Sequence, residues 1–192
     1  SFAMAQPSDL NWELILEDVD WFHWTGINPA LSDNVASICM DACKAAKARG
    51  ITVSCDLNYR KNLWSSENAK SVMGEMMPYV DVCFANEEDA DKVLGIKAPN
   101  SNVASGSLNK EGYQYVAETI NKVYGCKHIA ITLRESYSAS YNGWSAMLYS
   151  VGKKTCFSKG FNIQIVDRVG SGDSFAAGII YALINGMDNQ DA

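Results

Sequence analysis

Short apolar runs alternate with amphipathic helical stretches along nearly the whole of this 192-residue chain, and that alternation leaves few folds open. A strand, a helix and a second strand in succession imply a crossover, and repeated crossovers build a mostly parallel sheet. Residues 19–24, 51–56, 81–85 and 128–133 read as four such strands. Between the first two, Ser32 caps a helix running to Arg49, on which Val35, Ile38, Cys39, Ala42 and Ala46 keep one apolar face before Gly50 ends it. Further helices are expected at 67–77, 87–94 and 109–124. Residues 138–150 read as a hairpin turning at Asn142-Gly143, and 161–166 leads into a last helix. The Asn-, Ser-, Gly- and Pro-rich run at 95–108 is the one candidate linker, but the pattern resumes beyond it, so it reads as a surface excursion. The expectation is a single α/β domain, doubly wound, with helices on both faces of the sheet.

Charge and hydropathy narrow the function. A net charge of -6 with acids and bases interspersed offers no basic stripe to nucleic acid and no polybasic segment to a membrane surface. The apolar stretch at 175–184 is too short and too rich in Ala and Gly to span a bilayer, and Ser1-Phe2-Ala3-Met4 does not begin a signal sequence. Small-molecule chemistry in the cytoplasm is the reading. The six cysteines are scattered without a CxxC pair and read as buried reduced thiols. Cys39 and Cys43 share a helix face, but two thiols do not make a tetrahedral zinc site. His23 and His128 read as core or edge residues rather than as bases.

The unusual polar residues follow the strands. Thr25-Gly26 follows the first, Asp56-Leu57-Asn58-Tyr59-Arg60 the second, Asn86-Glu87 the third and Thr132-Leu133-Arg134-Glu135 the fourth. In an open α/β sheet the carboxyl ends of the strands form one edge, where ligands bind. Each residue alone has a plainer reading: Asn86 as a helix cap, Asp56 as a turn residue, Arg60 as a solvated charge. A fifth segment, Gly170-Ser171-Gly172-Asp173, opens the last helix. Free N–H groups and the positive end of a helix dipole make an anion site, and glycines let oxygens approach closely. An aspartate there opposes an anion, unless it accepts a proton from a hydroxyl that attacks phosphorus. The plainer alternative is an ordinary first-turn aspartate after a turn.

The stretch DRVGSGDSFAAG resembles the C-terminal signature of the PfkB, or ribokinase-like, family of sugar kinases, D-T-x-G-A-G-D-x-F-x-x-G. WFHWTGINPALS, DLNYRKNLW, ANEEDADKVLG and ITLRESYSASYNGWSAMLY look like the branch that phosphorylates 2-keto-3-deoxygluconate, so the resemblance covers nearly the whole chain. It implies ATP-dependent transfer to the terminal hydroxyl of that sugar acid, giving 2-keto-3-deoxy-6-phosphogluconate, with Asp173 as the base. Gly170, Ser171 and Gly172 would form the anion hole. Asn58, Asn86, Thr132, Arg134 and Ser136 would lie along the nucleotide, and Arg60, Ile27 and Asp173 would meet the substrate. Arg60 suits a carboxylate, since a planar guanidinium matches its fork.

Two departures from the family pattern stand out. The N-x-x-E motif that organises Mg2+ through water ends here in Asp89, leaving Asp89 or Glu88 as the acid, and Arg134 replaces the glycine of the T-x-G-x-x-G loop. The family's sugar-binding first half with its lid, and its closing segment, have no counterpart in 1–192, so the resemblance implies a core fragment incomplete at both ends. A kinase for a neutral sugar, and a non-catalytic sugar- or nucleotide-binding relative, remain as alternatives; a homo-oligomer is left open.

Overall fold

Register fixes which side chains meet at the sheet's edges. In a computed structural model that describes residues 2–99, 110–167 and 169–192, strands β1 (Trp21–Thr25), β2 (Thr52–Asp56), β3 (Val82–Ala85) and β4 (His128–Ser136) run parallel, side by side. β5 (Tyr141–Ser150) turns back beside β4, and β6 (Cys156–Phe157) and β7 (Phe161–Gln164) both pair antiparallel with β5. The helices are α1 (Trp12–Ile15), α2 (Asp33–Ala48), α3 (Ser66–Met76), α4 (Glu87–Leu94), α5 (Lys110–Tyr124) and α6 (Ser171–Ile184). Among the described residues no helix is long and apolar enough to cross a membrane.

Spatial order β1-β2-β3-β4 repeats chain order, so right-handed crossovers carry the intervening helices to one face. There Val35, Cys39, Cys43 and Ala46 of α2, Met73 and Met76 of α3 and Val116, Ala117 and Ile120 of α5 pack against Val53, Cys55, Cys83, Ile129, Ile131 and Leu133. Alternate residues point the other way. On that second face Val82, Phe84, Ala130 and Leu148 receive Ala176 and Ile179 of α6, and Phe175 meets Phe84 edge-on with ring centroids 6.3 Å apart. The doubly wound class expected from the pattern is the one observed.

Local signals account for most helix starts. Ser32 Oγ accepts from Val35 N–H, Ser65 Oγ from Asn68 N–H and Asn86 Oδ1 from Asp89 N–H, each cap contributing about 1 kcal/mol. Five of the six thiols are buried, and all six are free. The run at 95–108 falls partly outside the described residues; within it, Gly95 closes α4 at φ 69°, and Ile96 and Ala98 are buried.

One expectation fails. Asn142 and Gly143 do not turn; they lie within β5, opposite Ser136 and Glu135. The turn is at residues 137–140, closed by Tyr137 and Ser138 N–H groups on Tyr141 O and by Tyr141 N–H on Ser138 Oγ. A tight turn at Asn-Gly needs positive φ at both positions, and neither residue has it. Asn142 is instead fully buried.

Asp81 ties the opposite, amino-terminal edge together. Its carboxylate accepts from Lys47 Nζ at 2.8 and 2.9 Å and from Val53 N–H at 3.1 Å, and Lys127 Nζ stands 3.2 Å away. Burial alone would raise its pKa; Lys47, the Val53 amide and Lys127 reverse that and hold it below the ordinary 3.8. Such a carboxylate contributes stability that is complete above the unfolded value and lost as pH falls through the lowered native value. Asp81→Asn is expected to cost about 1–3 kcal/mol at pH 7 in urea denaturation. The difference from wild type should shrink once the pH is brought below about 4; a gap unchanged down to pH 2 would show that the charge is not what stabilises.

Candidate functional site

The carboxyl ends of β1 to β4 and the start of α6 converge. Thr25 pairs with Asp56 across β1 and β2, and Asp56 with Phe84 across β2 and β3. All three therefore share the face on which α6 lies. A Cβ built on Gly172 would stand 3.7 Å from Asp56 Oδ2, which sets the first turn of α6 directly over the end of β2. Gly170 occupies the N-cap at φ 76°, a left-handed conformation that suits glycine, and among the described residues no side-chain cap is formed there. The first amide to bond back is that of Ser174, to Gly170 O. The N–H groups of Ser171, Gly172 and Asp173 thus precede the helical ladder, at the positive end of the dipole.

The strand-end segments are tied to one another before any ligand arrives. Gly26 N–H donates to Asp56 O at 2.8 Å. A Cβ on Gly26 would collide with the Leu57 carbonyl oxygen, so this close approach of the two strand ends requires glycine. Asn58, at φ 40°, turns its amide so that Nδ2 donates to Thr25 Oγ1 at 3.1 Å, and Ile27 N–H reaches the same oxygen at 3.5 Å. Asp89 Oδ1 accepts from Tyr59 N–H at 2.9 Å, linking the loop after β2 to the first turn of α4.

Three carboxylates meet here. Burial pushes Asp56 up from its ordinary 3.8 to about 6; the Asn58 amide opposes this, the Asp173 charge adds to it and Arg60 opposes it. Asp89 is likewise pushed to about 6, first by burial, against the Tyr59 amide and with the Asp56 charge adding. His23 is lowered by burial, against the pull of Asp173. Its Nδ1 lies 2.7 Å from Ser54 Oγ, which also accepts from Trp21 Nε1 at 2.8 Å.

Beside this centre a cleft of about 380 Å³ opens between Arg134, Trp144, Phe161, Ile163, Asp167 and Ser171. An exposed guanidinium faces an uncapped helix start across it, a pairing that suits a phosphate group. The structure thus brings Gly170, Ser171, Gly172, Asp173, Arg60 and Arg134 to one edge. Thr132 is half-buried on the same side of β4. Ser136 Oγ donates to Asn142 Oδ1 at 3.2 Å. Asn86 does cap α4, so its oxygen is already engaged. Glu88 is exposed, whereas Asp89 is buried. Among the described residues no group of three or more His, Cys, Asp or Glu is arranged to hold a metal. Mg2+ takes oxygen ligands and keeps several of its waters, a chemistry that the carboxylates of Glu88 and Asp89 suit.

A family model described as pfkB family carbohydrate kinase matches residues 2–192. The chain belongs to that family. It is 47% identical to a solved 2-dehydro-3-deoxygluconokinase from Thermotoga maritima, with a TM-score of 0.90 over 98% of this chain and 55% of that one. It is 28% identical to a 2-dehydro-3-deoxygalactonokinase from Haloferax volcanii, over 95% of this chain and 50% of the relative. A 2-dehydro-3-deoxygluconokinase from Bacillus subtilis is 26% identical over 88% of this chain and 46% of its own length. The chain spans about half the length of the curated relatives it matches. The family read from DRVGSGDSFAAG is the one found.

Sequence reasoning placed Thr25 at a strand end without foreseeing that it orients Asn58, and took Asn142 for a turn. Asp56 was read as one of the strand-end residues, with a turn residue as the plainer alternative, and was given no role; its placement at the end of a strand was the one available signal. Because the folded state holds protons on Asp56 and Asp89 to a higher pH than the unfolded chain does, stability is expected to fall as pH rises from about 4 to about 6. Asp56→Asn should flatten part of that fall and stabilise the protein at pH 7. Partial exposure brings the full linkage figure down to roughly 1–2 kcal/mol. Melting temperatures across pH 3.5–7.5 for wild type and variant check this, and parallel curves would refute it.

Proposed function

We propose that the protein is an ATP-dependent sugar-acid kinase that phosphorylates the terminal hydroxyl of 2-dehydro-3-deoxygluconate (2-keto-3-deoxygluconate). The observation that carries the reading is the 47% identity, sustained at a TM-score of 0.90, to an enzyme of that name. The six free thiols suit the reducing cytoplasm.

In this reading Asp173, in the first turn of α6, accepts the hydroxyl proton as the oxygen attacks the phosphorus. The Ser171, Gly172 and Asp173 N–H groups face the phosphoryl oxygens, where a fixed dipole opposes the developing charge without reorganising. When bound, MgATP supplies the phosphoryl group. Arg134 and Ser171 would hold its phosphates across the cleft, Ser136 and Thr132 lie along the same strand, and the Asn86 side-chain nitrogen and Asn58 complete the lining. Water held by Asp89 or Glu88 would carry Mg2+. Arg60, whose charge already reaches Asp56, pairs with the substrate carboxylate, and the backbone at Ile27 borders the sugar. Arg60 is what favours an acid over a neutral sugar, because a neutral sugar leaves its charge unanswered.

A coupled ATP-turnover assay on the native protein, offering 2-dehydro-3-deoxygluconate, 2-dehydro-3-deoxygalactonate, fructose and ribose, tests this. Turnover is expected with a keto-acid and not with the neutral sugars. Asp173→Asn should reduce kcat by about 10³-fold or more with little change in KM, as loss of a proton acceptor does. Arg60→Ala should raise KM for the acid by roughly tenfold to a hundredfold. Turnover of fructose alone would replace the acid reading with a neutral-sugar one, and full activity of Asp173→Asn would remove the base.

A further inference from the structure

The buried side chain of Asn142 has no place in the reading so far. It sits in the interior of β5 with none of its surface exposed. Its Oδ1 accepts from Arg134 Nε at 2.8 Å and from Ser136 Oγ at 3.2 Å. The amide orientation is dictated by chemistry, since a guanidinium Nε–H can only donate and the atom facing it must be the oxygen. Nδ2 then points back to Ser138 O at 3.5 Å.

Register explains how one oxygen serves two residues. Ser136 is directly opposite Asn142, and Arg134 is opposite Trp144, so all four side chains stand on one face of the hairpin. The neighbouring glycine belongs to the same arrangement. A Cβ on Gly143 would stand 2.7 Å from Tyr137 Oη and 2.9 Å from Glu135 Oε2, which hydrogen-bond to each other across it. Asn-Gly is thus kept inside a strand, with an amide on one face and room for a Tyr–Glu pair on the other.

We propose that Asn142 is the positioning residue of the nucleotide subsite, fixing Arg134 and Ser136 through its single side-chain oxygen. This rests on the kinase reading and deepens it. An exposed arginine ordinarily samples many rotamers and loses that freedom when it binds a phosphate. With Nε held from behind by a buried group, the plane of the guanidinium is set beforehand. Its Nη donors remain for the cleft shared with Asp167 and Ser171. The clamp assigns Arg134 to ATP and not to the sugar acid.

The test measures the Kd of MgATP by calorimetry, and KM for ATP and for the keto-acid, in the native protein. Asn142→Ala, Arg134→Ala, the double variant and Arg134→Lys are compared with wild type. Asn142→Ala is expected to weaken MgATP about tenfold, leave KM for the keto-acid unchanged, and cost clearly less in the Arg134→Ala background than in wild type, because only its hold on Ser136 is then left to lose. Arg134→Lys keeps the charge but lacks the Nε–H that Asn142 holds, so it should bind MgATP nearly as weakly as Arg134→Ala. That variant keeps Asn142 in place, with Ser136 Oγ still donating to its oxygen, and carries the test should Asn142→Ala lose its cooperative melting. Additive losses in the double variant, or wild-type affinity in Arg134→Lys, overturn the clamp while leaving the kinase standing. Wild type that neither binds MgATP nor turns it over overturns both.

Discussion

The seating of α6 on the sheet is the contact on which the carboxyl-edge site depends. Ala176 and Ile179 press on Val82, Phe84, Ala130 and Leu148, with Phe175 edge-on to Phe84. Each large apolar side chain so buried stabilises by about 1.5–3 kcal/mol. That packing involves apolar side chains alone, yet it sets where the helix begins. With the axis held there, Gly172 can stand only against Asp56, and the motif glycine at 170 can bend the chain into the helix. Apolar area therefore supplies the precision that the polar residues use.

The polar residues in turn work against the fold. The Asp173 charge raises the cost of ionising Asp56, and the Asp56 charge that of Asp89, with Arg60 as the cation that offsets the charge on Asp56. A chain selected for stability alone would replace at least one of these acids. Local consistency fails here, as expected where chemistry rather than packing bears on the choice of side chain. The buried Asp81 at the other edge makes the contrast. There two lysines and a backbone amide surround a single carboxylate and lower its pKa.

Much of this was legible because it is local or periodic. The α2 apolar face, the Ser32 and Asn86 caps and the Gly50 stop each depend on residues a few positions apart. The strands showed themselves as apolar runs, and Gly-Ser-Gly-Asp announced itself by glycines at a helix mouth. What was not legible depends on pairing between distant segments. Asn142-Gly143 has turn chemistry in isolation, and only the register with Glu135 and Ser136 reveals why it sits in a strand. Asp56 could be placed at a strand end but given no role, because its neighbours on α6 lie more than a hundred positions away in the chain. Thr25 gives no sign in sequence of the hydrogen bond it accepts from Asn58.

The alternation along β4 has a consequence for how such a chain can change length. Thr132, Arg134 and Ser136 share a face because they are two apart, and the same parity delivers Asn142 and Trp144 to them from β5. A single residue inserted between 132 and 136 would send the downstream members of this set into the opposite layer, among the aliphatic helices. Added or lost residues are harmless only at 137–140, where the chain reverses and no parity is kept. Variation in hairpin length among related chains should concentrate in those four positions, while the flanking arms keep their length even where their residues differ.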